Sequence, residues 1–329
     1  MRNYYSRIKY LLAAIATFIA LPVAAEISID EEEFEDFLHD IEVRAAAAGI
    51  SKETVEKTFA TIKPSAKSIE LDRKQPESTT RFDEYIKMVV SPGRIRKGKR
   101  LLKENEWLLG KVSKQYNVQP RFIVALWGIE TDYGANTGGF HVPSVLATLA
   151  FEGRRKDLFS EQLIDALQII DKGHIEPEEM KGSWAGAMGQ TQFMPSSFLN
   201  FAEDYNKDGK RDIWGNRGDV FASIANYLTK AGWTDEGTWG RKVNLPKNFN
   251  YAQLGWENAM LISDWSDVGV RRIDGTKLPD KDIKAAVIMP DGKKGGAFLV
   301  YDNYKTILKW NRSNYFACAV GLLSDAIGR

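Results

Sequence analysis

An uninterrupted apolar run that ends in a carboxylate constrains this chain more than any other segment. Residues 122–129, FIVALWGI, carry no charge, and Glu130 follows them directly. Pro120 suits the first turn of a helix and Gly134 suits a helix end, so we predict a helix between these two residues. Such a helix would hold a carboxylate at the end of an apolar segment, where an ionised group is costly.

On this helix Glu130 shares a face with Ile123, Leu126 and Trp127, so it continues a stripe that points into the protein. It also lies in the last turn, where the helix dipole disfavours a negative charge. Burial and dipole both predict a raised pKa, which is the property of a general acid in glycosidic cleavage. A buried Glu130 paired with a lysine or arginine elsewhere is the alternative. The next acid, Asp132, faces another side of the helix, so the segment supplies one candidate acid and not two.

The first 25 residues have the pattern of a cleaved signal peptide. Three basic side chains precede an apolar stretch at 11–21, and small residues follow up to Ala25. The apolar stretch is short for a full membrane span, so we expect cleavage after Ala25 rather than an uncleaved anchor, and a periplasmic mature protein. The single cysteine, Cys318, lies far from this segment, so we expect neither a lipid-bearing cysteine behind the cleavage site nor an internal disulfide. Its apolar neighbours predict a small buried side chain.

The composition is that of a folded protein with one large domain or two ordinary ones. Apolar residues make up 43% of the chain and charged residues 27%. The formal charge is +1, and we identify no basic tract, so we expect no nucleic-acid partner.

Helical periodicity dominates residues 31–112 and returns from Tyr304 to the end of the chain. Between these parts, the apolar runs 284–289 and 297–301 flank a Pro-Asp-Gly turn, which predicts a β-hairpin. We therefore expect a mainly α protein of the α+β type with a small antiparallel β insertion. The division that we predict has four parts, namely the signal peptide 1–25, an N-terminal helical region 26–117 completed by C-terminal helices 304–329, a core 118–233, and a small β-containing region 234–303.

A second segment with candidate chemistry is GSWAGAMGQTQFMPSS, residues 182–197. Its glycines and alanines let backbone and ligand approach closely, and its polar side chains offer hydrogen bonds. A tight helix–helix contact made of small residues is the alternative.

Together, these two segments resemble the lytic murein transglycosylase B family. Four further blocks share the resemblance, which covers nearly the whole mature chain: LDRKQPE (71–77), FEGRR (151–155), the FMPSSF…DYNKDGKRDIW run and ILKWNRSNYFACAV (307–320). The resemblance implies a goose-lysozyme-like helical core, here over 118–233. It also implies cleavage of the β-1,4 bond between N-acetylmuramic acid and N-acetylglucosamine in peptidoglycan without water, which leaves a 1,6-anhydromuramoyl end.

The family uses a single glutamate, and its motif position corresponds to Glu130. Most glycosidases need a second carboxylate, but the 2-acetamido oxygen of the substrate can take the place of a nucleophile. Glu130 would protonate the leaving oxygen and then, as a carboxylate, remove the proton from the C6 hydroxyl. That hydroxyl attacks C1 within the same sugar, so proximity lets it compete with water.

The resemblance also implies substrate-binding roles for other residues. Ser183 matches a serine that hydrogen-bonds the catalytic carboxyl, and Gln192 matches a glutamine that contacts the N-acetyl group. Trp310 and Phe316 stand where family members can carry tyrosines, so an aromatic wall is kept but a hydroxyl hydrogen bond is lost. The remaining matches are a residue of the glycine-rich loop, two cleft tyrosines and an asparagine beside them, namely Met188, Tyr85, Tyr227 and Asn311.

The stretch DYNKDGKRDIW, residues 204–214, has the character of a calcium-binding loop. Its oxygen donors fall at loop positions 1, 3, 5 and 7, namely Asp204, Asn206, Asp208 and the Lys210 carbonyl. Position 12 is a glycine instead of a bidentate glutamate, so this is not a regular EF-hand. Some family members close such a loop with a later aspartate, for which Asp219 is in place and Asp212 is a competitor. We expect a structural calcium ion here and none in catalysis, with a metal-free Asx-rich turn as the alternative.

We expect the protein to bind peptidoglycan glycan strands, and cell-wall synthesis complexes are a second candidate class of partner. We expect the protein to be a monomer. Two other functions stay open at this point. A hydrolytic muramidase would use the same cleft and acid but admit water, and a non-catalytic peptidoglycan-binding protein would keep only the fold.

Overall fold

A computed structural model of the protein describes residues 28–74 and 80–328. The expected signal peptide, and residues 75–77 of the LDRKQPE block, lie outside the described residues. No helix in the described ranges combines the length and the apolar character that crossing a membrane requires.

Fourteen α-helices account for most of the described chain. Those of the first half are α1 (Glu31–Ala47), α2 (Lys52–Phe59), α3 (Ala66–Arg73), α4 (Phe82–Val89), α5 (Pro92–Glu104), α6 (Glu106–Tyr116), α7 (Pro120–Thr131) and α8 (Val142–Glu152). Those of the second half are α9 (Lys156–Asp171), α10 (Pro195–Phe201), α11 (Arg217–Lys230), α12 (Ile262–Asp267), α13 (Asp302–Trp310) and α14 (Asn314–Ile327).

Two antiparallel sheets complete the fold. Strands β1 (Phe140–His141) and β2 (Lys181–Gly182) form a short ladder next to the glycine-rich segment. The other sheet has the order β4-β6-β7-β3-β5, with strands β3 (Gly240–Asn244), β4 (Met260–Leu261), β5 (Arg271–Arg272), β6 (Lys284–Ile288) and β7 (Ala297–Val300). Strands β6 and β7 form the predicted hairpin, in which Ile288 pairs with Phe298. The expected class, mainly helical with a small antiparallel β part, is confirmed.

Three apolar clusters form the core. The first surrounds α7 with α11 and α14, and it includes Cys318, whose side chain is fully buried as predicted. The second joins α1, α8 and α9 to the glycine-rich segment, and the third fills the larger sheet around Trp265. Every residue of the run 122–128 is buried, so α7 is packed on nearly all sides.

Helix α7 ends one residue after Glu130. Asp132, Tyr133 and Gly134 follow with positive φ angles of 48°, 61° and 81°. Left-handed residues stop an α-helix, so the chain turns away here and Glu130 lies in the last turn, as predicted.

Candidate functional site

Glu130 is nearly enclosed by protein but keeps some exposure. One oxygen of its carboxyl, Oε1, accepts a hydrogen bond of 2.6 Å from the indole Nε1 of Trp310. Burial raises the pKa of Glu130 from 4.5 to about 7, although the donation from Trp310 acts in the opposite direction. The carboxyl is therefore protonated for much of the neutral range and can both donate and accept a proton.

The helix that carries Glu130 is tied to the glycine-rich segment through Gln190. Trp127 Nε1 donates to Gln190 Oε1 at 2.8 Å, and Gln190 Nε2 donates to the carbonyl of Trp214 at 2.7 Å. The hydroxyl of Thr131 donates to the Gln190 carbonyl at 3.2 Å. These bonds hold the end of α7 in a fixed position against the loop that we expected to meet the substrate.

The Ser183 side chain stabilises the turn in which it lies. Its Oγ accepts hydrogen bonds from the main-chain nitrogens of Ala185 at 3.3 Å and Ala187 at 3.0 Å. No hydrogen bond joins Ser183 to Glu130 in the described residues, so the geometry differs from the expected serine–carboxyl contact. The hydroxyl oxygen is already used to shape the loop.

Two other loop residues differ in exposure. Gln192 is half-buried, has a φ of 52°, and donates through Nε2 to the carbonyls of Thr137 at 3.1 Å and Gly189 at 2.9 Å. Its amide nitrogen is therefore held by the backbone, whereas its Oε1 accepts no hydrogen bond from the described residues. Met188 is completely buried in the second cluster, so its side chain supports the loop from below and offers no surface to a substrate.

An aromatic wall stands next to Glu130. The Trp310 ring lies 4.7 Å from Tyr227 and 5.2 Å from Phe193, measured between ring centroids. The Tyr227 hydroxyl donates to the Lys309 carbonyl at 2.7 Å. The resemblance implied an aromatic wall and the loss of a hydroxyl at Trp310, and it did not indicate that the indole N–H donates to the catalytic candidate. Phe193 was not among the expected residues, although it belongs to the resembling FMPSS block.

Tyr85 lies on α4, on another side of the carboxyl. Burial and the charge of Glu130 both raise the pKa of Tyr85, against the effect of Arg94. The ring of Tyr315 packs 5.6 Å from that of Tyr85. Tyr315 also donates its hydroxyl to Asp291, which caps α4. Sequence reasoning missed Tyr315, even though it lies inside the ILKWNRSNYFACAV block.

Asn311 and Phe316 are the last two residues that the resemblance assigned to the substrate. Asn311 is exposed, and its Oδ1 accepts from the main-chain nitrogen of Ser313 at 3.0 Å. Phe316 is 6% exposed and belongs to the first cluster, so most of its ring serves the core.

Asp132 does not act as a second acid. Its carboxylate pairs with Lys97 at 2.8 Å and with Arg94 at 3.4 Å. Asp132 is thus held in ion pairs with two cations, whereas no cation pairs with Glu130 in the described part of the chain.

The loop of residues 204–214 is closed by its own hydrogen bonds. Asp204 accepts from the main-chain nitrogens of Asp208 at 3.1 Å and Gly209 at 2.9 Å. Asp208 in turn accepts from Lys210 N at 2.8 Å, and Asn206 Nδ2 donates to Asp208 at 2.8 Å. Gly209 has a φ of 92°, which a side chain would rarely adopt.

Asp219 and Asp212 both contact this loop. The Asp219 carboxyl is completely buried and accepts from Tyr205 N at 2.9 Å and Asp212 N at 2.7 Å. Burial raises the pKa of Asp219, and the charges of Asp204 and Asp208 add to the increase against these two donations. Asp212 holds the next turn, through Trp214 N at 2.9 Å. Across the part of the chain that the structure describes, no three acidic, histidine or cysteine side chains converge as a metal ion requires.

This arrangement can be compared with known proteins. A family model described as a transglycosylase SLT domain matches residues 33–325. The membrane-bound lytic murein transglycosylase B of Escherichia coli (strain K12) is 30% identical over 251 residues, which are 74% of this chain and 66% of that protein. The chain thus spans about two thirds of the length of this curated relative.

Two solved structures are similar over most of the chain. SltB3 from Pseudomonas aeruginosa, in complex with NAG-anhNAM-pentapeptide, has a TM-score of 0.87 and 40% identity and covers 90% of this chain and 79% of its own. The Escherichia coli transglycosylase Slt35, in complex with calcium, has a TM-score of 0.74 and 26% identity, with coverages of 90% and 92%. These matches confirm the resemblance that the motifs predicted, and the chain belongs to the transglycosylase SLT domain family.

Proposed function

We propose that the protein is a lytic transglycosylase that cleaves the β-1,4 bond between N-acetylmuramic acid and N-acetylglucosamine in peptidoglycan and leaves 1,6-anhydromuramoyl ends. One observation carries the proposal. The carboxyl of Glu130 lies at the end of a buried helix with a pKa raised to about 7, while the neighbouring acid, Asp132, is engaged in ion pairs with two cations.

The chemistry needs a group that first gives and then takes a proton. Protonated Glu130 donates to the glycosidic oxygen as the bond to C1 breaks, and the 2-acetamido oxygen of the muramic acid stabilises C1. The resulting carboxylate removes the proton from the C6 hydroxyl, whose oxygen then bonds to C1 and closes the anhydro ring. A pKa near 7 lets the same carboxyl perform both steps without a second acid.

The surrounding residues support this use of the cleft. The indole of Trp310 holds Oε1 of the carboxyl, and we assign the proton transfer to the other oxygen, which accepts no hydrogen bond from the described residues. The aromatic wall of Trp310 and Tyr227 suits the flat faces of sugar rings. Gln192, with its amide nitrogen held by the backbone, is the residue that we assign to the N-acetyl group.

The ligands bound in the structures of a similar protein support the proposed product. The Pseudomonas aeruginosa SltB3 structures contain NAG-anhNAM-pentapeptide and NAG-NAM-pentapeptide. The first of these ligands carries the anhydro sugar that the intramolecular attack would produce.

Digestion of purified sacculi tests the proposal. The parent protein, Glu130→Gln, and a control with Glu35→Gln on the exposed face of α1 are compared by mass spectrometry of the released muropeptides. We expect anhydro ends from the parent and the control and none from Glu130→Gln, because the amide cannot exchange a proton at the required pKa.

Each other result points to a different function. Reducing ends in place of anhydro ends would identify a hydrolytic muramidase. Sacculus binding without any product from the parent would identify a non-catalytic wall-binding protein. Undiminished lysis by Glu130→Gln would refute the assignment of the acid.

We also propose that the 204–214 loop binds a structural calcium ion. Its donors are carboxylate, amide and carbonyl oxygens, which calcium prefers. Burial raises the pKa of Asp219, and the charges of Asp204 and Asp208 add to this increase, so a cation would relieve the repulsion. The similar Slt35 was solved with calcium. The melting temperature should be several degrees higher in calcium than in chelator, and Asp208→Asn should reduce this difference. An identical melting temperature in calcium and in chelator would contradict the proposal.

We place the mature protein in the periplasm, on the strength of the N-terminal signal pattern and of the wall substrate. N-terminal sequencing of the protein recovered from a periplasmic extract should start at Glu26. A start at Met1 would show that the signal is not removed.

A further inference from the structure

Helix α5 carries a row of cationic side chains on its solvent face. Arg96, Lys99, Arg100 and Lys103 are all exposed and follow the i, i+3, i+4, i+7 spacing of one helix face. The opposite side of the helix packs into the first core cluster through Leu101. The row therefore extends over two turns and points away from the protein.

Most of this positive charge has no internal partner. Arg100 pairs with Glu104 at 2.8 Å, an i,i+4 pair. Among the described residues, the other three cations of the row form no salt bridge. The inner cations of α5 are those that pair with Asp132, two residues beyond Glu130. The outer row is thus left free to meet something outside the molecule.

The charge is concentrated in this part of the chain. Residues 92–116 contain eight lysines and arginines and two glutamates, whereas the whole chain has 45 basic and 44 acidic side chains. Our expectation that the chain has no basic tract is therefore wrong. The nearly neutral total concealed a local excess, since the basic residues of α5 are interrupted by apolar ones that face the core.

An exposed indole continues the row on α6. Trp107 is 72% exposed, and the Nζ of Lys111 lies 3.7 Å from the centroid of its ring. A sugar would stack on the ring face, where Lys111 already covers one side. An indole with a free edge and cations around it is instead typical of the interface between a membrane and water.

We propose that this cationic surface, made of Arg96, Lys99, Arg100, Lys103 and Trp107, docks the protein reversibly onto an anionic phospholipid membrane. The ammonium and guanidinium groups would lie among the lipid phosphates, and the indole would enter the headgroup layer. Docking would use only the outer side of α5, because the inner side packs into the core and carries the cations that pair with Asp132.

Vesicle sedimentation tests this proposal directly. The parent protein is mixed with vesicles of phosphatidylglycerol and phosphatidylcholine, or of phosphatidylcholine alone, at low and high salt. Partition should favour the anionic vesicles and fall with salt, as expected for exposed charges.

The triple variant Arg96→Gln, Lys99→Gln and Lys103→Gln should lose partition by about 100-fold, which corresponds to about 1 kcal/mol for each charge. The control removes the same charge from exposed lysines of the β region, by Lys247→Gln, Lys277→Gln and Lys281→Gln, and it should retain partition within a few-fold. Trp107→Ala should weaken partition at both salt concentrations, since its contribution is not ionic.

Three outcomes would overturn the proposal. The first is equal partition to anionic and neutral vesicles, and the second is an equal loss in the control. The third is unchanged vesicle binding by the α5 triple variant together with weakened binding to purified sacculi, which would assign the surface to an anionic wall polymer. Circular dichroism melts of the variants show whether an effect arises from unfolding, which we do not expect at fully exposed positions.

Discussion

Replacing Glu130 by Gln should stabilise the folded protein at neutral and alkaline pH while it abolishes lysis. The folded state raises the pKa of this carboxyl from 4.5 to about 7, chiefly by burial. Between these two values the folded protein binds more protons than the unfolded chain. Its stability therefore falls as the pH rises through this window.

The size of the effect follows from the same shift. Because folding raises the pKa of this carboxyl from 4.5 to about 7, its ionisation in the folded state lowers the free energy of unfolding by about 3 kcal/mol. Glutamine has the same shape but no charge, and its amide oxygen can still accept from Trp310. The stability difference between variant and parent should thus be small at pH 4, grow between about 4.5 and 7, and stay constant above.

Urea unfolding of both proteins at pH values from 4 to 8.5 measures this difference. The values at pH 4 serve as the internal control, because this pH lies below both pKa values and the carboxyl is then mostly protonated in the folded and in the unfolded state. A difference that does not vary with pH, or a variant that is less stable than the parent at pH 8, would refute the argument that burial keeps Glu130 protonated.

Further changes test other parts of the structure. Trp310→Phe removes the donor that lowers the pKa of Glu130, so the alkaline limb of the pH–activity profile should move to higher pH; an unchanged limb would show that the bond is absent in solution. Gly182→Ala should cost about 3 kcal/mol, or roughly 5 °C in melting temperature, because the new Cβ would lie 2.1 Å from a main-chain oxygen, whereas Gly139→Ala meets no atom within 4 Å and should melt like the parent. Asp72→Ala removes a buried partner of two half-exposed arginines, and water reaches those arginines, so we expect a loss of about 1–2 kcal/mol in urea unfolding; no loss would show that the ion pairs are not formed.

Local patterns predicted the elements that depend on local chemistry. The apolar run and its flanking proline and glycine indicated α7 and the position of Glu130 in its last turn. The apolar runs around a Pro-Asp-Gly turn indicated the β6–β7 hairpin. Both depend on residues within a few positions of one another, so a single sequence contains the required information.

Contacts between distant segments could not be predicted in this way. A motif position indicates which residue stands at a point in the chain but not which of its atoms face a partner. This is why the motif position of Trp310 indicated an aromatic wall but not the donation of its indole to Glu130. It is also why Ser183, which the resemblance assigned to the catalytic carboxyl, bonds to its own loop instead, and why Met188, assigned to the substrate, is buried. The total charge likewise concealed the cationic row of α5, because its exposure depends on which face of the helix is buried.

The hydrogen bond between Trp310 and Glu130 joins residues that are 180 positions apart in the chain. The environment of the acid is therefore completed only when α13, close to the C-terminal end, has packed into place. A partly folded or partly synthesised chain carries an ordinary glutamate that is hydrated and ionised at neutral pH, and such a group cannot protonate a leaving oxygen. The acid and the indole that binds one of its oxygens are therefore brought together only by the tertiary fold, and a chain that ended before α13 would lack this contact.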